Sequence, residues 1–125
     1  MTLDMDKEEI VAQKPETRFK IRILPVLRRI NLLYVEKIQQ KSIRGTLDLI
    51  LCVNGWYVVL ELKVYGDLDS MQKRNMVRIR NANGYAIETT PENFPGVHKF
   101  LKILAKTSRP PPIESKALFA LLNQN

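Results

Sequence analysis

The feature that most constrains this chain is a pair of apolar runs joined by Asn54-Gly55. The runs read LDLILCV and WYVVLELK, and Asn-Gly is the pair that a two-residue type I′ turn prefers because both turn positions need a positive φ. The sequence therefore predicts a β-hairpin. If the turn closes without a bulge, Val53 lies opposite Trp56, and each outward step pairs the next residue of each strand.

This register brings two acidic residues face to face at the open end of the hairpin. It pairs Asp48 with Glu61 at a non-hydrogen-bonded position, where Cβ atoms are about 5 Å apart. Lys63 shares their face because alternate residues of a strand point the same way. Two buried carboxylates this close repel, so a shared proton, a basic neighbour or a bound cation must neutralise them. The competing interpretation is an exposed cluster of salt bridges at a strand end.

Both faces of the hairpin are apolar. Ile50, Cys52, Tyr57 and Val59 share the carboxylate face, and leucines and valines fill the other. Strands that are apolar on both faces are typical of the covered centre of a sheet, so we expect the hairpin to be central. Cys52 is the only cysteine, and we expect it to be buried as a small hydrophobic residue.

Helices and two further strands are predicted around the hairpin. Apolar residues at helical spacing predict a helix from Pro15 to about Ile30, kinked or broken at Pro25. Tyr34 and its neighbours predict a strand over 32–38. After the hairpin, the pattern predicts a helix capped by Asp69 or Ser70 and ending near 81, a left-handed Gly84, a strand over 85–89 parallel to that of Glu61, and a helix over 95–106.

Length and charge narrow the class of protein. The chain has 125 residues, which fits one domain, and we expect an acidic arm over 1–14, a domain over 15–107 and a Pro-rich tail over 108–125. Its 20 Lys and Arg against 13 Asp and Glu give a net charge of +7, which favours an acidic partner such as nucleic acid. No stretch has the roughly 18 uncharged apolar residues of a membrane span, so we expect an intracellular protein with no membrane partner.

Basic residues cluster where they would flank the carboxylate pair. Several follow Gln72 on one predicted helix, and others lie on the first helix and in the loop before Asp48. Such charges usually lie on a helix face exposed to solvent. The alternative interpretation is that together they contact the phosphates of a nucleic-acid backbone. The predicted nucleic-acid contacts are Arg18, Arg22, Lys41, Ser42, Arg44, Lys73, Arg74 and Arg78.

The segment RGTLDLILCVNGWYVVLELK resembles the core of the PD-(D/E)XK nuclease superfamily, with Asp48 in its first motif and Glu61-Leu62-Lys63 as its E-x-K. Glu16 in the first helix, the loop over 42–45, Gly66, Gln72 and the stretch NGYAIETTPEN resemble the VRR-NUC branch, the virus-type replication-repair nucleases. The likeness covers about residues 15–106. Leu47 stands where the family usually has a proline, which supplies no ligand.

The resemblance implies a restriction-endonuclease-like αβββαβ core, an α/β fold in which helices flank a mixed central sheet. It implies that Asp48, Glu61 and the carbonyl of Leu62 bind Mg²⁺ or Mn²⁺, hard cations that take oxygen ligands. Lys63 would assist the attacking water. Glu16 and Gln72 would point toward the metal or its waters.

The expected function is that of a Mg²⁺- or Mn²⁺-dependent DNA endonuclease. The resemblance implies selectivity for branched DNA, as in Holliday-junction resolvases, and a cytoplasmic protein of bacterial or phage type. Cutting two strands with one site per chain implies a homodimer. Two alternatives stay open: a catalytically inactive nucleic-acid-binding module, and an interaction subunit of a replication or repair complex that docks through its Pro-rich tail.

Overall fold

The computed structural model describes residues 15–38, 48–109 and 114–123. Within them the elements are α1 (Pro15–Arg28), β1 (Leu33–Lys37), β2 (Leu49–Val53), β3 (Trp56–Leu62), α2 (Ser70–Asn81), β4 (Tyr85–Thr89), α3 (Phe94–Ala105) and α4 (Ser115–Leu122). The strands form one sheet in the order β1-β2-β3-β4. The first two pairings are antiparallel and β3 pairs with β4 in parallel, so the predicted α/β fold with a mixed sheet is confirmed.

The hairpin has the predicted turn and register. Asn54 and Gly55 have φ values of 48° and 87°, the two positive values of a type I′ turn. Val53 pairs with Trp56, and the ladder continues without a bulge to Leu49 and Leu60. Because β2 and β3 lie between β1 and β4, the hairpin is central, as predicted.

The main core lies on the face of the sheet opposite the carboxylates. Alternate residues of β2 and β3 point to this face, where the apolar stripes of α1 and α3 cover them. The fully buried side chains here include Ile23, Leu27, Leu49, Leu51, Val53, Val58, Leu60, Leu62 and Leu101. Burial of this face agrees with the register set by the turn, in which Asp48 and Glu61 lie on the other side.

The carboxylate face is covered only in part. Met76 of α2 packs there against Val59 and Ala86, in a second and smaller apolar cluster. Nearer the turn, Cys52 and Tyr57 are exposed, so the predictions that both faces are covered and that Cys52 is buried are wrong there. The physical reason is that α2 packs mainly over β4, which leaves the β1–β2 half of this face open.

Two local predictions need correction in part or in full. Helix α1 runs through Pro25 to Arg28, so of the two predicted outcomes there, a kink or a break, the break is wrong. Asn83, with φ 67°, takes the left-handed conformation after α2 that we expected at Gly84. Gly84 is needed instead for close packing: a Cβ there would lie 2.8 Å from Ile79 Cγ2 and 3.0 Å from Tyr57 Cδ2.

Gly84→Ala is therefore expected to destabilise the protein by about 1–3 kcal/mol, the usual cost of overpacking. Gly96→Ala is the matched control, because a Cβ there meets nothing within 4 Å and the residue is helical. That control is expected to gain up to about 1 kcal/mol from helix propensity. Urea unfolding of both variants measures the difference, and equal stabilities would contradict the packing argument.

The tail contains the helix α4, in which no residue is buried. Its apolar side chains Leu118, Phe119, Leu121 and Leu122 are all exposed. Docking of this helix on a partner stays a prediction. Within the described ranges, no helix is long and apolar enough to cross a membrane.

Candidate metal centre

Asp48 lies directly before β2, where its side chain joins the two strands of the hairpin. Its backbone carbonyl accepts a hydrogen bond from Ile38 N at 3.0 Å, which ties it to the end of β1. Its carboxylate Oδ2 accepts a hydrogen bond from the backbone N–H of Leu62 at 2.9 Å. One carboxylate oxygen is therefore held by the backbone of β3, beside the E-x-K segment.

Glu61 is buried at the end of β3, with 2% of its surface exposed. Its Oε2 accepts a hydrogen bond from Gln72 Nε2 at 2.8 Å, and its Oε1 is buried with no hydrogen-bond partner among the described residues. The alternative interpretation of an exposed salt-bridge cluster is therefore wrong for Glu61. A buried carboxylate oxygen without a donor is costly unless it gains a proton or a cation.

The surroundings of Glu61 favour its protonated form. Its pKa is raised from 4.5 to about 9, chiefly by burial, then by the hydrogen bond that a protonated Glu61 donates to Asp48 and by the negative charge of Asp48. The positive charge of Lys63 lowers this pKa, and Glu16 adds a smaller upward effect. Asp48 and Glu61 therefore interact as a pair, and a proton on Glu61 provides the shared-proton arrangement that was one of the three predicted compensations.

Gln72 is positioned by the cap of α2. The side chain of Asp69 accepts a hydrogen bond from Gln72 N, and Gln72 Oε1 accepts one from Asp69 N, which together form a capping box. This arrangement commits the amide oxygen of Gln72 to the cap and leaves Nε2 to donate to Glu61. The structure thus places Gln72 in contact with Glu61, and its role toward a metal or its waters stays a prediction.

The sequence did not single out Lys20 as a site residue. Its Nζ lies 3.4 Å from Asp48 Oδ1, in an ion pair between α1 and the start of β2. Lys20 is thus a basic neighbour of Asp48, whereas Lys63 acts on Glu61. Its position one helical turn after Glu16 was the available signal, because residues four apart share a helix face.

The remaining predicted side-chain ligand is Glu16. It is exposed in the first turn of α1, and its charge acts on Glu61. Among the described residues, no group of three or more histidine, cysteine or acidic side chains converges as a metal site. Roles for the Leu62 carbonyl and for Glu16 as metal ligands stay predictions.

A further acidic residue, missed in the sequence, lies beside the pair. Glu88 of β4 is in register with Glu61 of β3, and its side chain is exposed on the same face of the sheet. Glu88 becomes a neighbour of Glu61 because β4 pairs in parallel with β3 after the crossover through α2. The sequence does not show the register of this pairing, so it could not predict that Glu88 lies beside Glu61.

The predicted basic residues fall into three groups. Lys73, Arg74 and Arg78 are exposed on α2. On α1, Arg18 is half-buried, and the guanidinium of Arg22 lies 5.4 Å from the ring centre of Phe19. Lys41, Ser42 and Arg44 lie outside the described residues, as do the Leu47 position and the arm over 1–14.

The donor set fits a hard divalent cation. Carboxylate and carbonyl oxygens are the ligands that Mg²⁺ and Mn²⁺ prefer, and Mg²⁺ is commonly held by one or two carboxylates while it keeps several waters. The partnerless Oε1 of Glu61 is one oxygen that a cation would satisfy.

Comparison with protein-family models, with curated proteins and with solved structures finds no match to this chain.

Proposed function

We propose that this protein is a Mg²⁺- or Mn²⁺-dependent DNA endonuclease of the VRR-NUC type, built on a restriction-endonuclease-like core. The observation that carries the proposal is the pairing of Asp48 with a buried Glu61 that has one carboxylate oxygen without a partner. The order α1-β1-β2-β3-α2-β4 supports it, because this is the order that the resemblance implies.

The residues of the pair would hold the cation from two strands. Asp48 and Glu61 supply two negative charges, and the carbonyl of Leu62 supplies a third oxygen. The bound metal would supply Lewis acidity and a lowered pKa of a bound water, the two contributions needed for phosphodiester hydrolysis. Gln72 and the backbone N–H of Leu62 fix the orientation of the carboxylates through the oxygens that they contact.

The two lysines have separate roles in this proposal. Lys20 offsets the charge of Asp48, to which it is paired at 3.4 Å. Lys63 offsets the charge of Glu61, whose pKa it lowers. The Lys63 ammonium is a compact donor close to the carboxylate pair, and it can orient the attacking water or contact the phosphate.

DNA is the proposed substrate because the net charge is +7 and exposed cations follow Gln72 along α2. Selectivity for branched DNA and a homodimeric assembly belong to the proposal as implications of the resemblance. The rival in the same fold is an inactive nucleic-acid-binding module. It shares the binding surface and differs in having no metal-dependent cleavage.

The deciding experiment incubates the protein with labelled duplex, flap, splayed and four-way DNA in Mg²⁺, Mn²⁺ or EDTA. We expect nicking in either metal, with the branched substrates preferred, and none in EDTA. Binding without cleavage in both metals would overturn the nuclease proposal and favour the inactive module. Cleavage that persists in EDTA would indicate a contaminating or metal-independent activity and would also count against the proposal.

A further inference from the structure

The open half of the carboxylate face carries a row of exposed side chains close to the turn. Tyr34, Cys52 and Tyr57 are cross-strand neighbours in the registers of β1 with β2 and of β2 with β3. Tyr34 is 65% exposed and Tyr57 is 47% exposed. The two tyrosine rings lie on the same open sheet face, on either side of Cys52, and both expose aromatic surface to water.

A groove next to Tyr57 carries two guanidinium groups. It lies between the end of α2 and the Asn54-Gly55 turn, has a volume of about 660 Å³, and is lined in part by Tyr57, Arg78 and Arg109. Arg109 is held in place, because its Nη1 donates a hydrogen bond to Gly55 O and its guanidinium lies 5.6 Å from the ring centre of Trp56. Over the described parts of the chain, no carboxylate forms an ion pair with Arg78 or Arg109.

We infer that this surface binds an unpaired DNA strand that continues from the cleavage site, with bases stacked on Tyr57 and Tyr34 and phosphates contacted by Arg78 and Arg109. The inference rests on the proposed function, because it takes DNA as the ligand. Aromatic rings beside cationic side chains are the combination that binds single strands, since every base offers a ring face and every nucleotide a phosphate. We call this surface the tyrosine groove.

The position of the tyrosine groove fits a strand that also reaches the carboxylate pair. Tyr57 and Glu61 lie on the same face of β3, four residues or about 13 Å apart. At a rise of 3.4 Å per nucleotide this spans roughly four stacked nucleotides. Val59 lies between the two sites but is buried under Met76, so the open route passes over half-buried Ile50 of β2. Glu36 is the acidic side chain of β1 on this face. Glu36 lies on the edge strand, on the side away from α2.

Charge complementarity selects DNA over an apolar peptide as the occupant. The cations bordering the groove are free of acidic partners among the described residues. The groove also has apolar lining from Trp56, Ile79 and Ala82, but an apolar peptide would leave both guanidinium groups without a counterion. Arginine contacts both phosphates and base faces, which matches both of these features.

The test measures binding in EDTA, by fluorescence anisotropy of labelled DNA, so that cleavage does not enter. The probes are a blunt duplex and the same duplex with a single-stranded thymidine arm. Tyr57→Leu and Tyr34→Leu are each expected to weaken binding of the armed probe about tenfold, the usual effect of losing one stacked base, and to leave the blunt duplex unchanged. Tyr57→Phe keeps the ring and is expected to bind like the wild type.

Two variants that each remove one positive charge test the phosphate contact. Arg78→Gln is expected to weaken binding of the armed probe and to lower the salt dependence of the affinity by about one phosphate contact. Lys102→Gln makes the same change of charge on α3, which packs on the opposite face of the sheet, and is expected to leave this arm-specific binding intact. Circular dichroism of each variant reports whether it is folded.

Two results would overturn the inference. One is equal affinity of wild type, Tyr34→Leu and Tyr57→Leu for the armed probe, and the other is a loss that is the same for blunt and armed DNA. Neither result concerns cleavage, which is measured separately in Mg²⁺. Tyrosine-dependent arm binding without any cleavage would therefore reject the nuclease proposal alone, and cleavage without a tyrosine effect would reject the tyrosine groove alone.

Discussion

Asp48→Asn is expected to reduce Mg²⁺-dependent cleavage by roughly a hundredfold to a thousandfold, the range seen when an active site loses one group that stabilises charge in the transition state. Asparagine keeps an oxygen that can accept the Leu62 N–H, so the junction of β2 and β3 is expected to remain. It removes the negative charge that a divalent cation needs from this strand. The measurement is the single-turnover rate on the best substrate of the panel.

Glu114→Gln is the matched control for this variant, because it removes one carboxylate from an exposed position before α4. It is expected to cleave at the wild-type rate. Calorimetric titration with Mn²⁺ provides a second readout, in which Asp48→Asn binds the ion more weakly and Glu114→Gln does not. If Asp48→Asn is folded and still cleaves within a few-fold of the wild type, the carboxylate pair is not the metal centre.

Local chemistry made the hairpin and its acidic pair predictable. The Asn54-Gly55 turn sets the register, and the register alone places Asp48 near Glu61 before any other element is considered. The cap at Asp69 was predictable for the same reason, because the residues that make it lie three positions apart. Such features depend on neighbours in sequence or on one tight turn, which the sequence displays directly.

The features that the sequence did not reveal depend on how distant elements pack. Lys20 reaches Asp48 from a helix that lies 28 residues earlier in the chain, and polar positions of α1 do not show which one faces the site. Cys52 was expected in the core because its strand is apolar on both faces. It is exposed because α2 covers only part of that face, and the extent of this cover depends on the placement of the crossover helix.

The second large effect is expected at Glu61, and its readout is stability in EDTA. The pKa of Glu61 in the folded protein is about 9, against 4.5 ordinarily. Between these pH values the folded protein holds a proton that the unfolded chain has released, so a rise in pH favours unfolding. The contribution of Glu61 to stability is full below pH 4.5 and is lost as the pH rises toward 9, by at most about 1.4 kcal/mol for each pH unit.

Glu61→Gln removes the titrating group while it keeps the size of the side chain and an oxygen for Gln72 Nε2. Urea unfolding in EDTA across pH 5.5 to 8.5 is therefore expected to show a falling free energy of unfolding for the wild type and a flatter profile for Glu61→Gln. Near pH 8 the variant is expected to be more stable by a few kcal/mol. Glu114→Gln should follow the wild-type slope.

Added Mg²⁺ is expected to reverse this order through the same carboxylate. A cation replaces the proton on Glu61, so it stabilises the wild type increasingly as the pH rises, and Glu61→Gln gains little because a neutral amide is a poor ligand. A metal ligand is expected to lower the free energy of unfolding when the metal is absent and to be needed for stabilisation when the metal is bound. A residue of a structural ion pair is not expected to behave in this way. Parallel pH profiles for wild type and Glu61→Gln, with or without Mg²⁺, would show that Glu61 carries no such proton and binds no such ion.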